Sequence, residues 1–188
     1  MNLILGSQST SRRAVLESTG REFTIMPADI DEKAIRSDDA QEMPLLIARA
    51  KAAALLPKIT ADAILITADQ VVECAGEVRE KPESHEDARR YLASYALEPA
   101  QTNSAVVVTN TRTGKQAEGI DIARTYFKPI PEDIVDELIA DGAILHSAGA
   151  FVIENEIMKP YIDHLEGTPD SVKGLPLELT LRLINEVS

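Results

Sequence analysis

The chain begins with a short apolar segment followed directly by a helical one, and a second helix and strand follow further along. Residues 3–5 (Leu-Ile-Leu) predict a strand that ends at Gly6, and residues 9–18 predict a helix. Residues 41–57, rich in Ala and Leu, predict the second helix. The apolar run at residues 63–66 is so short that only a buried strand fits it. Strands and helices that alternate in this way predict an α/β fold.

The rest of the chain continues this pattern. Its 188 residues, 44% of them hydrophobic, can bury one core but hardly two, so we expect residues 1–188 to form a single domain. Three more helices are predicted at residues 84–97, 131–140 and 174–187, and two more strands at residues 105–109 and 120–127.

Charge and cysteine content indicate which partners this protein can bind and in which cell compartment it is expected. The 31 acidic residues outnumber the 19 Lys and Arg, and the net charge of -12 repels the backbone of DNA or RNA. A pocket with a few local cations can still hold a free nucleotide. Cys74, the only cysteine, forms no internal disulfide, which fits a reducing compartment. With no signal-peptide pattern and no membrane-length apolar run, we expect a cytoplasmic protein without polynucleotide or membrane partners.

The turn between the first strand and helix, G-S-Q-S-T-S-R-R, has two interpretations. Ser7, Ser9, the amides of a helix start and the guanidinium groups of Arg12 and Arg13 suit a phosphate group. A serine N-cap followed by two solvated arginines explains the same letters, and for this stretch alone that interpretation is favoured. The turn lacks the second glycine and the lysine of a Walker motif.

Lys51 lies on the apolar stripe of the second predicted helix, spaced three and four residues from Ala48, Ile47 and Leu55. Its stem can run along the edge of the core while the ammonium stays in water. Alternatively, the ammonium reaches an anion in a cleft at the inner face of the helix. Helical spacing leaves both interpretations open.

Asp69 is expected to close the apolar strand that begins at residue 63. Acidic side chains at such strand ends often face a ligand crevice, although a turn-forming aspartate explains the position equally well. Lys81 in E-K-P and Asp31 in A-D-I-D-E add a second lysine and a further carboxylate. The chain thus offers carboxylates for a hard cation and lysines for phosphate.

Seven segments in order resemble the Maf family from end to end: G-S-Q-S-T-S-R-R, A-D-I-D-E, A-R-A-K-A, T-A-D-Q-V-V, E-K-P, S-A-G-A-F and G-L-P-L. The resemblance implies an elongated α/β fold of the Maf/ITPase-like type, with a central mixed sheet, flanking helices and a cleft between two lobes. It also implies a homodimer and a nucleoside triphosphate pyrophosphatase that uses a divalent cation, Mg²⁺ or Mn²⁺.

The resemblance assigns roles to individual positions. Asp69 is expected to hold the metal or activate water, assisted by Asp31. The phosphate side would be lined by Ser7, Ser9, Arg12, Lys51 and Lys81.

Three positions separate this chain from the family type that acts on dTTP and UTP. That type has Pro-Arg-Arg near its start, Thr after the aspartate and Gln in Gly-Ile-Gln-Gly, whereas this chain has Ser11, Gln70 and Glu154. H-S-A-G-A-F also resembles the other type, which prefers 7-methyl-GTP. A carboxylate at Glu154 can accept hydrogen bonds from the N1–H and amino groups of guanine. We therefore expect Gln70 and Glu154 to contact substrate. Glu80 and Asn155 stand where the family usually has glycine.

Other functions are compatible with the same letters. The dTTP/UTP activity is the alternative within the family. A non-catalytic nucleotide-binding regulator of cell division would keep the pocket without turnover. A phosphatase or sugar-nucleotide hydrolase would release inorganic phosphate instead of pyrophosphate. The presence of Asp69 with Lys51 and Lys81 favours the pyrophosphatase, since a regulator has little need for a water-activating carboxylate.

Overall fold

A computed structural model describes residues 1–188 as a seven-stranded sheet with helices. The strand order is β2-β1-β3-β5-β6-β7, with β4 paired to β3. Pairs of both directions occur, because β1 runs parallel to β2 and β3 while β4 and β7 are antiparallel to their partners. No helix is both long enough and apolar enough to cross a membrane. The strands are β1 (Asn2–Leu5), β2 (Phe23–Ile25), β3 (Ala63–Cys74), β4 (Glu77–Arg79), β5 (Ala100–Asn110), β6 (Gln116–Phe127) and β7 (Ile162–Glu166), and the helices are α1 (Thr10–Glu17), α2 (Glu42–Leu55), α3 (His85–Ser94), α4 (Glu132–Asp141), α5 (Pro169–Val172) and α6 (Leu177–Val187).

The predicted mixed α/β fold is confirmed, and one strand boundary is wrong. The strand predicted at residues 63–66 continues to Cys74, so Asp69 lies inside β3 and does not close it. The strand continues because its second half also has a partner, with Val72 and Cys74 in register with β4. A turn-forming role for Asp69 is therefore excluded.

The chain divides into two compact units. The first unit comprises Met1–Gln70, Asn103–Asp121 and Asp170–Ser188, and the second comprises Val71–Thr102 and Ile122–Pro169. Long strands β3, β5 and β6 contribute residues to both.

In the first unit, alternate residues of the central strands build two separate hydrophobic cores. One core contains Leu3 and Leu5 of β1 with Ile64 and Ile66 of β3, packed against α1 and α6. The other contains Ile4 and Leu65, packed against α2. Because side chains alternate along a strand, odd-numbered residues of β3 face α2 and even-numbered residues face α1 and α6. The same alternation determines which helices the polar residues Thr67, Asp69 and Gln70 of β3 face.

The second unit has an aromatic core. The rings of Tyr95 and Phe127 are stacked with centroids 5.4 Å apart, and Phe151 packs edge-on against both. Arg79 is buried beside them with its guanidinium over the rings of Tyr91 and Tyr95. These contacts fix the end of β4 against the C-terminal end of α3.

Candidate active site

Asp69 and Lys51 form a buried ion pair in the first unit. Asp69 is on the α2-facing side of β3, and Lys51 is on the inner stripe of α2 with Ala48. Thr67, two residues before Asp69 on the same side, donates a hydrogen bond to the Ala48 carbonyl at 2.8 Å and fixes the helix against the strand. Lys51 Nζ then donates to Asp69 Oδ1 at 2.7 Å. Both residues are only 7% exposed, so the Lys51 ammonium does not extend into water, and the anions that it contacts are carboxylates of the protein itself.

A second carboxylate meets the same ammonium. Glu32 Oε1 lies 2.9 Å from Lys51 Nζ, and the Glu32 side chain is about half exposed. Asp31, which was predicted to assist Asp69, is exposed immediately before the short 3-10 turn Glu32–Ala34. The structure thus brings Glu32 to Lys51, a contact that the A-D-I-D-E segment alone does not reveal.

Arg12 is buried and bridges two backbone segments. Its Nη1 donates to the Ala68 carbonyl at 2.8 Å, directly before Asp69, and its Nε donates to the Gly174 carbonyl at 3.0 Å. A solvated Arg12 is therefore wrong. Arg13 is exposed and pairs with Glu17 one turn along α1 at 2.7 Å, so the structure does not bring it to this cluster.

The two predicted serines organise the start of α1. Ser9 is its N-cap and accepts a hydrogen bond from the Arg12 backbone amide at 3.3 Å. Ser7 is buried, and its hydroxyl accepts from the Ser9 amide at 3.1 Å. The N-cap interpretation holds for Ser9, and the Ser7 hydroxyl in turn holds the Ser9 amide at the start of the helix.

Burial dominates the electrostatics of this cluster. It raises the pKa of Asp69 above the ordinary carboxyl value, while the positive charges of Lys51 and Arg12 act in the opposite direction. Burial also lowers the pKa of Arg12, whose guanidinium nevertheless stays charged in proteins. A buried carboxylate with a raised pKa beside two cations is typical of catalytic acids and bases.

Gln70 lies on the opposite side of β3, facing the segment before α6. Its Nε2 donates to the Val172 carbonyl at 3.3 Å, whereas its buried Oε1 has no hydrogen-bond partner. A Cβ atom on Gly174, which has a φ of +84°, would lie 1.6 Å from that oxygen. The Gln70 side chain therefore occupies space that is open only because residue 174 is a glycine. The two residues are too far apart in sequence for this contact to be predicted.

Lys81 and Glu154, also predicted as site residues, belong to the second unit and are both exposed. Lys81 follows Glu80, whose carbonyl accepts a 3.0 Å hydrogen bond from the Gly149 amide. The segment E-K-P is therefore tied to S-A-G-A-F, two motifs that lie far apart in sequence. After Glu154, Asn155 caps a turn with its side-chain oxygen, which accepts from the Ile157 amide at 2.9 Å.

No group of three or more His, Cys, Asp and Glu side chains is arranged to hold a metal ion. The donor chemistry is compatible with a hard cation that takes most of its ligands from elsewhere. Asp69 and Glu32 present carboxylates to one point, the Lys51 ammonium. Mg²⁺ is commonly bound by one or two carboxylates together with substrate phosphates, and Asp69 and Glu32 can supply two such carboxylates.

The fold and the cluster define an α/β protein whose first unit buries a group of charged side chains beside its central sheet. A family model described as "Maf-like protein" matches residues 2–187. The chain belongs to the Maf family, as its seven ordered segments predict.

Relatives in this family carry the names of pyrophosphatases. A 7-methyl-GTP pyrophosphatase of Dictyostelium discoideum is 45% identical over 193 residues, covering 99% of this chain and 97% of the relative. A nucleoside triphosphate pyrophosphatase of Salinispora tropica is 30% identical, covering 100% and 84%. A dTTP/UTP pyrophosphatase of Vibrio parahaemolyticus is 30% identical, covering 99% and 97%.

Among solved structures, this chain is similar to a nucleoside-triphosphatase (dITP/XTP pyrophosphatase) of Mycobacterium abscessus. The match covers 70% of this chain and 75% of that protein's chain. Its sequence identity to this chain is 13% and the TM-score is 0.39.

Proposed function

We propose that this protein hydrolyses a nucleoside triphosphate to a nucleoside monophosphate and pyrophosphate. The observation that carries the proposal is the buried Asp69–Lys51 pair with Arg12 beside it. A buried ion pair is a poor stabilising device, because desolvation offsets most of the attraction between the charges. Its presence is better explained by chemistry at this position, and the pyrophosphatase names of the relatives support the same reaction.

In the proposed reaction, water attacks the α-phosphorus. Asp69 accepts a proton from that water, the bond from the α-phosphorus to the bridging oxygen breaks, and pyrophosphate leaves with the bond electrons. Burial raises the pKa of Asp69, which makes it a better proton acceptor than an ordinary carboxylate. Lys51 stabilises the negative charge that develops on the phosphate oxygens.

We propose that Arg12 positions the site by binding backbone carbonyl groups. Both of its resolved hydrogen bonds end on carbonyl groups, one of them at Ala68 next to the proposed base. Ser7 and Ser9, with the free amides at the start of α1, are proposed to receive phosphate oxygens.

We propose that a divalent cation, Mg²⁺ or Mn²⁺, takes part. Asp69 would hold it, with Glu32 or the adjacent Asp31 as the second carboxylate and the triphosphate supplying further oxygens. When bound, such an ion neutralises phosphate charge. Calorimetric titration of Mn²⁺ into the protein with and without tripolyphosphate tests this. Binding that needs tripolyphosphate and is lost in Asp69→Asn supports the assignment, whereas equal binding by Asp69→Asn contradicts it.

The substrate that we propose is 7-methyl-GTP. The support is the Dictyostelium relative together with Glu154, whose exposed carboxylate can accept from guanine and attract its methylated, positively charged base. Glu154→Gln should then lose activity on 7-methyl-GTP much more than on UTP. Equal loss on all nucleotides would contradict this role, and a wild-type preference for UTP or dTTP would move the protein to the other family type.

The reaction is tested by product analysis. Purified protein with Mg²⁺ or Mn²⁺ is supplied with 7-methyl-GTP, GTP, UTP or dTTP, and pyrophosphate and phosphate are measured separately. Asp69→Asn should nearly abolish pyrophosphate release, while Asp62→Asn, a matched change in the exposed segment before β3, should not. Inorganic phosphate as the first product would point to a phosphatase, and binding without turnover would point to a nucleotide-binding regulator.

Two further proposals concern the setting of the enzyme. We propose a homodimer on the family resemblance, which light scattering of the purified chain tests directly. We propose the cytoplasm because Cys74 is free and buried, so the fold needs no oxidising compartment. Fractionation of the source cells would place the protein there or elsewhere.

A further inference from the structure

A closed series of contacts in the second unit surrounds the segment that carries Lys81. At its start, the buried Arg79 donates to Ser94 Oγ at 2.7 Å and to the Tyr91 carbonyl at 3.4 Å. Its guanidinium also lies 5.1 Å from the centre of the Tyr95 ring. Residue 79 is thus held against the C-terminal end of α3, two residues before Lys81.

The same end of α3 is also connected to this segment through Gly149. The Tyr95 hydroxyl donates to the Gly149 carbonyl at 2.7 Å, and the Gly149 amide donates to the Glu80 carbonyl at 3.0 Å. Arg79, Glu80, Gly149 and Tyr95 therefore form a ring of contacts, which we call the Lys81 clamp. The peptide bond between Glu80 and Lys81 contains the carbonyl that closes this ring.

The clamp includes an unfavourable backbone conformation. Gly149 has a φ of +68° and Ala150 a φ of +55°, and the second is a region that residues with a Cβ avoid. A Cβ on Gly149 would lie 2.7 Å from the Tyr95 hydroxyl oxygen, so the hydroxyl fits directly against the glycine. Such a conformation persists only where surrounding contacts enforce it, and the Tyr95 hydrogen bond is one of them.

We infer that Tyr95 is a positioning residue that fixes Lys81 through Gly149 and Glu80. The inference rests on the proposed function and on the expectation from the family resemblance that Lys81 binds the substrate phosphates. Neither hydrogen bond involves the Lys81 side chain, which leaves its ammonium available to an anion. Loss of the Tyr95 hydroxyl frees the Gly149 carbonyl and loosens the peptide that precedes Lys81. The result is weaker phosphate binding with the aromatic core retained.

A double-mutant cycle on phosphate affinity tests the inference. Tyr95→Phe removes the hydroxyl and keeps the stacked ring, and Lys81→Met removes the ammonium. Affinity for inorganic tripolyphosphate is measured by calorimetry for the full-length wild type, both single variants and the double variant. Tyr126→Phe is the matched control, because it removes a hydroxyl from another ring of the same unit, stacked on His164 with centroids 4.1 Å apart.

Tyr95→Phe should weaken tripolyphosphate binding about fivefold, the effect of one lost hydrogen bond. It should weaken binding no further in the Lys81→Met background, since the group being positioned is then absent. Tyr126→Phe should bind as the wild type does. Equal losses in both backgrounds would show a general structural effect and overturn the inference, as would a Tyr95→Phe affinity equal to that of the wild type.

Pyrophosphate release is measured on the same proteins and separates this inference from the proposed function. Pyrophosphate release by the wild type without coupling between Tyr95 and Lys81 overturns the clamp alone. Coupling in tripolyphosphate binding without any pyrophosphate release supports the clamp and overturns the proposed reaction.

Discussion

Gly174→Ala should destabilise the first unit through a clash with one identified atom. The new Cβ would lie 1.6 Å from Gln70 Oε1 and 3.0 Å from Arg12 Nε. The Gln70 side chain must leave, which breaks its hydrogen bond to Val172. The positive φ of residue 174 adds a cost of its own, because alanine avoids that region.

The expected size follows from these two contributions. The left-handed backbone costs about 1–2 kcal/mol for a residue with a Cβ. A lost hydrogen bond and the buried carbonyl left at Val172 add about 1–3 kcal/mol. Gly174→Ala should therefore lower the free energy of unfolding by roughly 2–5 kcal/mol.

Urea unfolding followed by circular dichroism measures this change, and the chain supplies an internal control. Gly20 also has a positive φ, +68°, but a Cβ there would meet nothing within 4 Å. Gly20→Ala therefore reports the backbone cost alone, and Gly174→Ala in a Gln70→Ala background should cost about the same. If Gly174→Ala is no more destabilising than Gly20→Ala, or costs equally with and without the Gln70 amide, the reasoning is refuted.

Three other predictions concern the buried charges. Asp69→Asn removes a carboxyl group whose pKa in the folded state is raised by burial. The contribution of Asp69 to stability is therefore present below its unfolded pKa of about 4 and is lost as the pH rises through the folded pKa. In thermal melts, the variant should be at least as stable as the wild type at pH about 8, and any gain in its stability should disappear in acid. Lys51→Met removes the positive charge that lowers the Asp69 pKa. The variant should lose about 3–5 kcal/mol of unfolding free energy at pH about 8 and less at pH about 5. A loss that does not depend on pH would contradict the pairing of Lys51 with Asp69. Arg12→Lys should lose about 1–2 kcal/mol in urea unfolding because one ammonium cannot replace two directed donors, while Arg13→Ala should stay within about 0.5 kcal/mol; similar losses would contradict their different surroundings.

Local patterns predicted most of the fold. The helices at residues 9–18, 41–57, 84–97 and 131–140 all occur, with ends displaced by a few residues. Strands β2, β4 and β7 were not predicted, because these short segments are mostly half-buried or exposed and lack the continuous apolar run that identified β1. Their existence depends on neighbouring strands that the local sequence does not show.

The site was predicted less completely for a similar reason. The stripe of α2 placed Lys51 at the core, and only β3 as a whole explains why it meets Asp69. Asp69 was expected to close the apolar strand, but it lies inside β3, where the charges of Lys51 and Arg12 offset part of the cost of its burial. The partners of Arg12 at Ala68 and Gly174 are 56 and 162 residues away, and no spacing rule reaches that far.

In the proposed reaction, Asp69 directs water onto the α-phosphorus. The most direct measurement is hydrolysis of 7-methyl-GTP in water enriched in a heavy oxygen isotope, with mass spectrometry of both products. We expect one heavy oxygen in the nucleoside monophosphate, none in the pyrophosphate, and almost no product from Asp69→Asn. Heavy oxygen in pyrophosphate or inorganic phosphate, or ordinary turnover by Asp69→Asn, would contradict it.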